Sequence, residues 1–313
     1  MRTFTTWTGL DDTARGASVA IGNFDGVHIG HQAVIDLARA VADRSGAPLG
    51  IVTFEPHPRE VFAPSSSPFR LMSAETKAHR LEKLGVDCLY QLDFNEDLSG
   101  LSPEDFARQV IAGGLGLTHV VVGDDFRFGK GRAGNPADLE IFGQTMGFDV
   151  TIATLVETDG GEVSSTSIRQ ALTDGRPRDA AKMLGHWHRI DGPVLHGEKR
   201  GRDLGYPTTN MSIEGLHPPR FGVYAVKVDV LSGPHEGSYD GAASIGVRPM
   251  FGENQANLET YLLDFDGDLY DTHLSVALVD FLRPEARFDG VDALIAQMET
   301  DCAQARQILA DVP

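Results

Sequence analysis

Cysteine is scarce: the 313 residues contain two, Cys88 and Cys302. That excludes a disulfide framework and a cysteine-rich zinc site, and Cys302 sits in an apolar helical pattern that suits a packed thiol. Long hydrophobic runs are missing as well. None approaches the ~20 residues that span a bilayer, and the opening MRTFTTWTGLDD lacks the apolar stretch of a signal peptide. A cytoplasmic protein with no membrane partner is expected. Cations are also few, with 27 Lys and Arg against 45 Asp and Glu and a formal net charge of −18. A broad nucleic-acid face needs clustered Lys and Arg, so no nucleic-acid partner is expected. Repeats, low-complexity tracts and signals for an oligomeric state are absent too.

What is present is an ordinary globular composition, 41% hydrophobic and 23% charged, on a chain long enough for two cores. Over the first ~185 residues, apolar runs at 18–22, 49–54, 89–94, 118–123 and 148–156 alternate with helical patterns. One such pattern carries Val34, Leu37, Ala38 and Val41; another carries Phe106, Val110 and Ile111 behind Ser102, Pro103 and Asp105. Alternation of this kind predicts a parallel α/β sheet, on which ligands bind at the carboxyl ends of strands. From His186 the pattern changes to short strands and turns, which predicts a compact antiparallel β-barrel. Asp266 and Gly267 read there as a two-residue hairpin. A terminal helix should follow from Gly290, with Val291, Leu294, Ile295, Met298, Cys302, Ala305 and Leu309 in one stripe. The division is therefore 1–185 and 186–313, joined by a helical segment near 175–185.

The stretch GNFDGVHIGH (22–31) closes an apolar strand and opens a helix. Helix N-termini offer unpaired N–H groups and a positive dipole end, where ATP phosphates are stabilised. His28 and His31, three residues apart around Gly30, can turn both imidazoles to one phosphate while the glycine admits the backbone. Capping or core histidines are the alternative. The same four letters, HIGH, occur in class I aminoacyl-tRNA synthetases and in enzymes that adenylylate a small molecule. A second loop should meet the same phosphates, and SSTSIR (164–169) follows the last strand of that half. Its hydroxyls either cap a helix or face phosphate, with Arg169 as charge partner, and both can hold at once. Glycine-interleaved cation clusters at Arg127, Lys130 and Arg132, and at Lys199, Arg200 and Arg202, are phosphate-loop candidates.

GNFDGVHIGH, TFEPHPREVF (53–62), GDDFRFGKGRAGN (123–135) and SSTSIR together resemble the adenylyltransferase domain of prokaryotic bifunctional riboflavin kinase/FAD synthetases. The lysine-bearing second loop of the class I synthetases is not found. The resemblance implies a Rossmann-like nucleotidyltransferase domain. In it, Gly22, Asn23, Phe24, Asp25, Gly26, His28 and His31, with Ser164, Ser165, Thr166 and Arg169, bind ATP. It also implies that Pro56, His57, Pro58 and Arg59, with Asp125, Arg127 and Phe128, surround FMN. The attacking 5′-phosphate is already an anion, so no general base is needed and catalysis rests on positioning and charge neutralisation.

HGEKRGRDLGYPTTN (196–210) resembles the kinase signature of the same family, a basic glycine-rich loop before a Pro-Thr-x-Asn turn. Gly197, Gly201 and Gly205, with Lys199, Arg200, Arg202, Pro207 and Thr208, are the expected ATP-phosphate contacts; Thr208 and Asn210 offer hard oxygens for Mg²⁺. An ordinary charged hairpin turn is the alternative for this segment alone. The segments at 222–226, 244–251, 258–270 and 281–301 match the family's kinase barrel in order. The resemblance assigns the general base to Glu259, which would take the proton of riboflavin's 5′-hydroxyl as it attacks the γ-phosphate. Thr209, Ser244 and Met250 depart from the family's usual residues. The expected function is phosphorylation of riboflavin to FMN, then adenylylation of FMN to FAD with release of pyrophosphate. Riboflavin, FMN and ATP are the substrates, Mg²⁺ the metal. A FAD synthetase with a degenerate flavin-binding barrel is the alternative.

Overall fold

All five apolar runs of the first half form strands of one parallel sheet. The structure, a computed structural model, describes residues 1–154, 157–158, 161–196, 205–247 and 256–312. Strands β1 (Arg2–Phe4), β2 (Ser18–Ile21), β3 (Leu49–Glu55), β4 (Cys88–Asp93), β5 (His119–Gly123) and β6 (Asp149–Ala153) lie in the order β1-β4-β3-β2-β5-β6. Every pairing among them is parallel. The near-continuous apolar content and burial of β2, β3 and β5 fit strands covered on both faces. Val19, Ile21, Val52, Tyr90, Val120 and Val122 pack with Phe106, Val110, Ile111 and Leu139 of the covering helices into one core. The chain leaves β2 towards β3 on one side and later returns with β5 on its other side, so the strand order reverses at β2. The crevice at the carboxyl ends of strands at such a reversal is where open α/β sheets bind ligands. Two of the sequence-predicted loops, 22–28 and 124–135, leave β2 and β5 at that place.

Helices α1 (Ile29–Ser45), α2 (Pro58–Phe62) and α3 (Ala74–Lys83) follow β2 and β3. The helix expected behind Ser102 forms, with the Ser102 hydroxyl accepting the Asp105 N–H, and continues as a π-helix over Phe106–Gly114. β1, an exposed three-residue edge strand, escaped the sequence reading because it has no apolar run. Contacts divide the chain into two units, Met1–Ser66 with Lys77–Val163, and Ser67–Thr76 with Ser164–Pro313. The first unit also holds a short hairpin, β7 (Glu157–Thr158) and β8 (Gly161–Glu162).

The second unit carries an antiparallel sheet, β9 (His188–Pro193), β10 (Thr208–Ser212), β11 (Gly222–Val230), β12 (Gly237–Val247), β13 (Ala256–Leu262) and β14 (His273–Arg283), ordered β10-β13-β12-β11-β14-β9. A bridge between Leu195 and Asn210 joins the two edges and curls the sheet into a barrel. Met211, Tyr224, Ile245, Leu258, Leu262 and Val276 fill its interior. The helix Val291–Leu309 lays Ala305 and Leu309 against Ala225, Ala242 and Val279 on the outer face. Arg283 grips Asp301 of that helix with three hydrogen bonds of 2.7–3.1 Å. The two-residue hairpin at Asp266 and Gly267 is a correction: ten residues, 263–272, connect β13 to β14, and those strands are not neighbours. Left-handed φ falls on Asp264 and Asp271, and Gly267 instead admits the Phe265 ring against its Cα.

Candidate active sites

The turn after β2 is built around two rings. His28 is the N-cap of α1, its Nδ1 accepting the His31 N–H at 3.3 Å. That acceptor role puts the His28 ring proton on Nε2. The His28 and His31 rings stack at 3.6 Å, and Phe24 meets His31 edge-on at 5.2 Å. Gly30 makes the stack feasible: a Cβ there would meet His28 Cε1 and Nδ1 at 3.2 Å. The spacing H-x-G-H thus reserves volume for an imidazole, beyond the backbone approach read from sequence. Phe24 (φ 50) and Val27 (φ 43) hold strained conformations beside Gly26, a signature of turns over-determined by their surroundings.

Both histidines are neutral at physiological pH. Burial pushes His28 down to about 4. His31 lies well below the ordinary value through burial, then the nearby His28 and Lys77. His31 Nδ1 is buried without a hydrogen-bond partner, uncommon in a folded chain. Asp25 is buried in the same turn, Gly22 is half-buried and Asn23 exposed.

The PHPRE turn (56–60) opens α2 with a capping box: His57 Nδ1 accepts the Arg59 N–H at 3.1 Å, and the Glu60 carboxylate accepts the His57 N–H at 2.9 Å. Arg59 is exposed. Beyond it, Phe62 is 68% exposed and stands edge-on to Phe94, which stands edge-on to Phe54. This aromatic wall was missed in the sequence because three phenylalanines spread over forty residues carry no pattern. On the loop after β5, Asp125 and Arg127 are exposed, whereas Phe128 is buried between Phe106 and Phe126. An open depression of about 450 Å³ beside it is lined by Asp124, Arg127, Arg132 and Asn135.

SSTSIR belongs to the second unit. Ser164 caps the helix Ser165–Thr173, its Oγ accepting the Ser167 N–H at 3.2 Å, and Thr166 is exposed in the first turn. Arg169 donates from Nε to the Phe69 carbonyl oxygen and lies over the Phe69 ring.

On the barrel, Gly197, Lys199, Arg200, Gly201, Arg202 and Met250 lie outside the described residues. Gly205 adopts a left-handed conformation (φ 81) before Pro207. β10 pairs Asn210 directly with Glu259, and β12 pairs Ser244 with Glu259. Side chains alternate along strands, so Thr208, Asn210, Asn257 and Glu259 share the outer face while Met211 and Leu258 fill the interior. Asn257, buried, donates from Nδ2 to Asn210 Oδ1 at 3.3 Å and to Glu259 Oε1 at 3.5 Å. No sequence signal marked Asn257. A shallow cleft beside Thr208, with a cavity volume of only about 40 Å³, is lined by Pro207, Leu262, Phe265, Asp268 and Tyr270, with His196 stacked on Tyr270. Among the described residues no cluster of three or more His, Cys, Asp and Glu could hold a metal ion.

Two family models match the chain, FAD synthetase over residues 10–167 and riboflavin kinase over 184–309. A bifunctional riboflavin kinase/FMN adenylyltransferase of Pseudomonas fluorescens is 44% identical, covering 95% of this chain and 94% of that protein. Its Listeria monocytogenes counterpart is 38% identical, covering 97% and 94%. A crystal structure described as a macrolide-efflux protein from Streptococcus pneumoniae matches with TM-score 0.82 at 30% identity, covering 97% of this chain and 98% of that one. No helix among the described residues is long and apolar enough to cross a membrane.

Proposed function

The chain belongs to the family of bifunctional riboflavin kinase/FMN adenylyltransferases, and from that premise we propose which residues carry each step. The protein phosphorylates riboflavin to FMN with ATP and adenylylates FMN to FAD. The residue roles are carried by one observation: the His28–His31 stack stands at the carboxyl end of β2, where the parallel sheet reverses its strand order.

In adenylyl transfer the FMN phosphate attacks the α-phosphorus of ATP and pyrophosphate leaves. His28 and His31 act as neutral N–H donors to the phosphates, with the α1 N-terminus adding its dipole. Gly22, Asn23, Phe24, Asp25 and Gly26 supply the turn that admits the triphosphate. Ser164, Ser165, Thr166 and Arg169 are the proposed second phosphate loop. Pro56, His57, Pro58 and Arg59 with Asp125 and Arg127 receive FMN, and Phe62 and Phe94 give the apolar isoalloxazine a stacking wall. The buried Phe128 stiffens that loop from within.

In the kinase step Glu259 takes the proton of riboflavin's 5′-hydroxyl while the γ-phosphoryl group transfers and ADP leaves. Asn257 orients both Glu259 and Asn210. Thr208 and Asn210 fit a hard divalent cation only as partial ligands, the remaining positions falling to ATP oxygens and water. A divalent cation such as Mg²⁺ held by Thr208 and Asn210 would supply neutralisation of the phosphate charge at this site. Gly197, Lys199, Arg200, Gly201, Arg202, Gly205 and Pro207 form the proposed phosphate loop of this site.

We assign residues 1–185 to the adenylyltransferase and 186–313 to the kinase, a division supported by family matches ending at 167 and starting at 184. We propose a cytoplasmic enzyme of small molecules without a nucleic-acid or membrane partner; the acidic charge of −18 argues against a nucleic-acid face. The test is incubation with riboflavin, ATP and Mg²⁺ and separation of flavins over time. FMN should rise and then give way to FAD; turnover of FMN but not of riboflavin would remove the kinase assignment.

A further inference from the structure

Lys77 on α3 is 3% exposed, a burial that lysine rarely reaches unless paired. Its ammonium donates to the carbonyl oxygen of Asn23 at 3.3 Å and to Thr53 Oγ1 at 3.1 Å, and lies 3.8 Å from Glu55 Oε2. Thr53 Oγ1 donates to the same Asn23 carbonyl oxygen at 3.2 Å. Two donors, one from α3 and one from β3, therefore converge on the main chain where β2 hands over to the histidine turn, with Glu55 beside the ammonium. Removing an ammonium from water is costly, and the Thr53 hydroxyl already satisfies that carbonyl. With Glu55 as its partner, the ammonium carries a buried positive charge up to the main chain of the histidine turn.

We propose that Lys77 is a positioning residue for adenylyl transfer: it clamps the Asn23 carbonyl, fixing the turn that presents His28 and His31, and lends its charge to the anionic transition state from behind that turn. This rests on the phosphate role of the histidine pair. The two imidazoles are uncharged, so they supply hydrogen bonds without net charge, and the Lys77 ammonium is a cation near enough to lower the proton affinity of His31. The charged and titratable groups acting on His31 are His28 of its own turn and Lys77 of α3; Glu55 of β3 faces the Lys77 ammonium at 3.8 Å. Removing the lysine must raise the proton affinity of His31; removing Glu55's charge must lower it.

The test uses the full chain as Lys77→Met, Thr53→Val and Glu55→Gln. FAD formation from FMN in Lys77→Met should fall roughly ten- to hundred-fold in kcat, with KM for ATP moving less than about threefold. Phosphorylation of riboflavin in the same preparation should persist. The Cε1–H NMR signal of His31, assigned with His31→Gln, should titrate at higher pH in Lys77→Met and at lower pH in Glu55→Gln. Thr53→Val keeps the charge and should lose less activity. A Lys77→Met protein that makes FAD at the unmodified rate, or loses rate while His31 titrates unchanged, overturns the proposal. If Lys77→Met fails to fold, an unmoved His31 titration in Glu55→Gln overturns it. An unmodified chain that makes FMN but no FAD refutes the adenylyl-transfer reading instead.

Discussion

Replacing Gly30 with alanine separates the role of the histidine stack from that of the helix it opens. The added methyl lies 3.2 Å from Cε1 and Nδ1 of His28, a few tenths of an ångström inside the ordinary carbon contact distance of about 3.5–4.0 Å. Gly30 holds no left-handed φ, so the backbone accepts alanine and the strain falls on the ring. His28 must swing away, breaking the 3.6 Å stack and the 3.3 Å bond from the His31 N–H. Stability receives two opposing contributions: alanine in place of glycine gains up to ~1 kcal/mol in a helix, and a weakened N-cap costs ~0.5–2 kcal/mol. The net change in unfolding free energy should stay within about 1 kcal/mol. Catalysis has no such compensation, because small misplacements of positioning groups cost up to ~100-fold. FAD formation from FMN should therefore drop roughly ten- to hundred-fold while FMN formation from riboflavin and the thermal midpoint hardly change. Undiminished FAD formation would refute the idea that Gly30 keeps room for His28, and equal loss of both activities would refute the separation of sites.

Glu259→Gln should abolish FMN formation from riboflavin and spare conversion of FMN to FAD, read by the same flavin separation; equal loss of both would contradict the base assignment. His188 is buried with Nδ1 unpartnered, and burial pushes it down to about 3. Its folded value lies below the unfolded one of about 6.5, so the stability it confers is present above that pH and is lost as pH falls from 6.5 towards 3. His188 should account for about 2 kcal/mol of the stability lost between pH 7.5 and 5, beside the losses added by His28 and His31, and His188→Leu should remove that share in denaturant unfolding. Asp301→Ala leaves Arg283 without its carboxylate partner at a half-buried site; a loss of roughly 2–4 kcal/mol should appear in the unfolding of the barrel unit.

The sequence was most legible where physics acts locally and repeatedly. Buried parallel strands need continuous apolar runs, and those runs gave β2 to β5 within a residue, while the run at 148–156 extended three residues past the end of β6 at Ala153. β10 (Thr208–Ser212) was read as a turn because Thr-Thr-Asn-Met-Ser has one apolar residue facing the interior and polar ones facing the site. The Asp266 and Gly267 pair misled because turn chemistry describes a dipeptide, whereas β13 and β14 had already paired with other strands. Within the sites, His28, His31 and Glu259 stood in quotable motifs. Lys77 did not: in AETKAHRLEK a lysine looks solvated, and only tertiary packing reveals that it points inward. Asn257 and Phe94 were hidden for the same reason, since their roles arise from partners 47 and 32 residues away, Asn210 and Phe62.

The two-site claim is tested most directly by mixing two full-length variants, His31→Ala and Glu259→Gln, with riboflavin, ATP and Mg²⁺. Each alone should stop at a different flavin: His31→Ala accumulates FMN, and Glu259→Gln leaves riboflavin untouched. Mixed, they should restore FAD formation from riboflavin, because FMN released by one is adenylylated by the other. FAD made from riboflavin by either variant alone, or no FAD from the mixture while FMN accumulates and Glu259→Gln still converts added FMN, would contradict it.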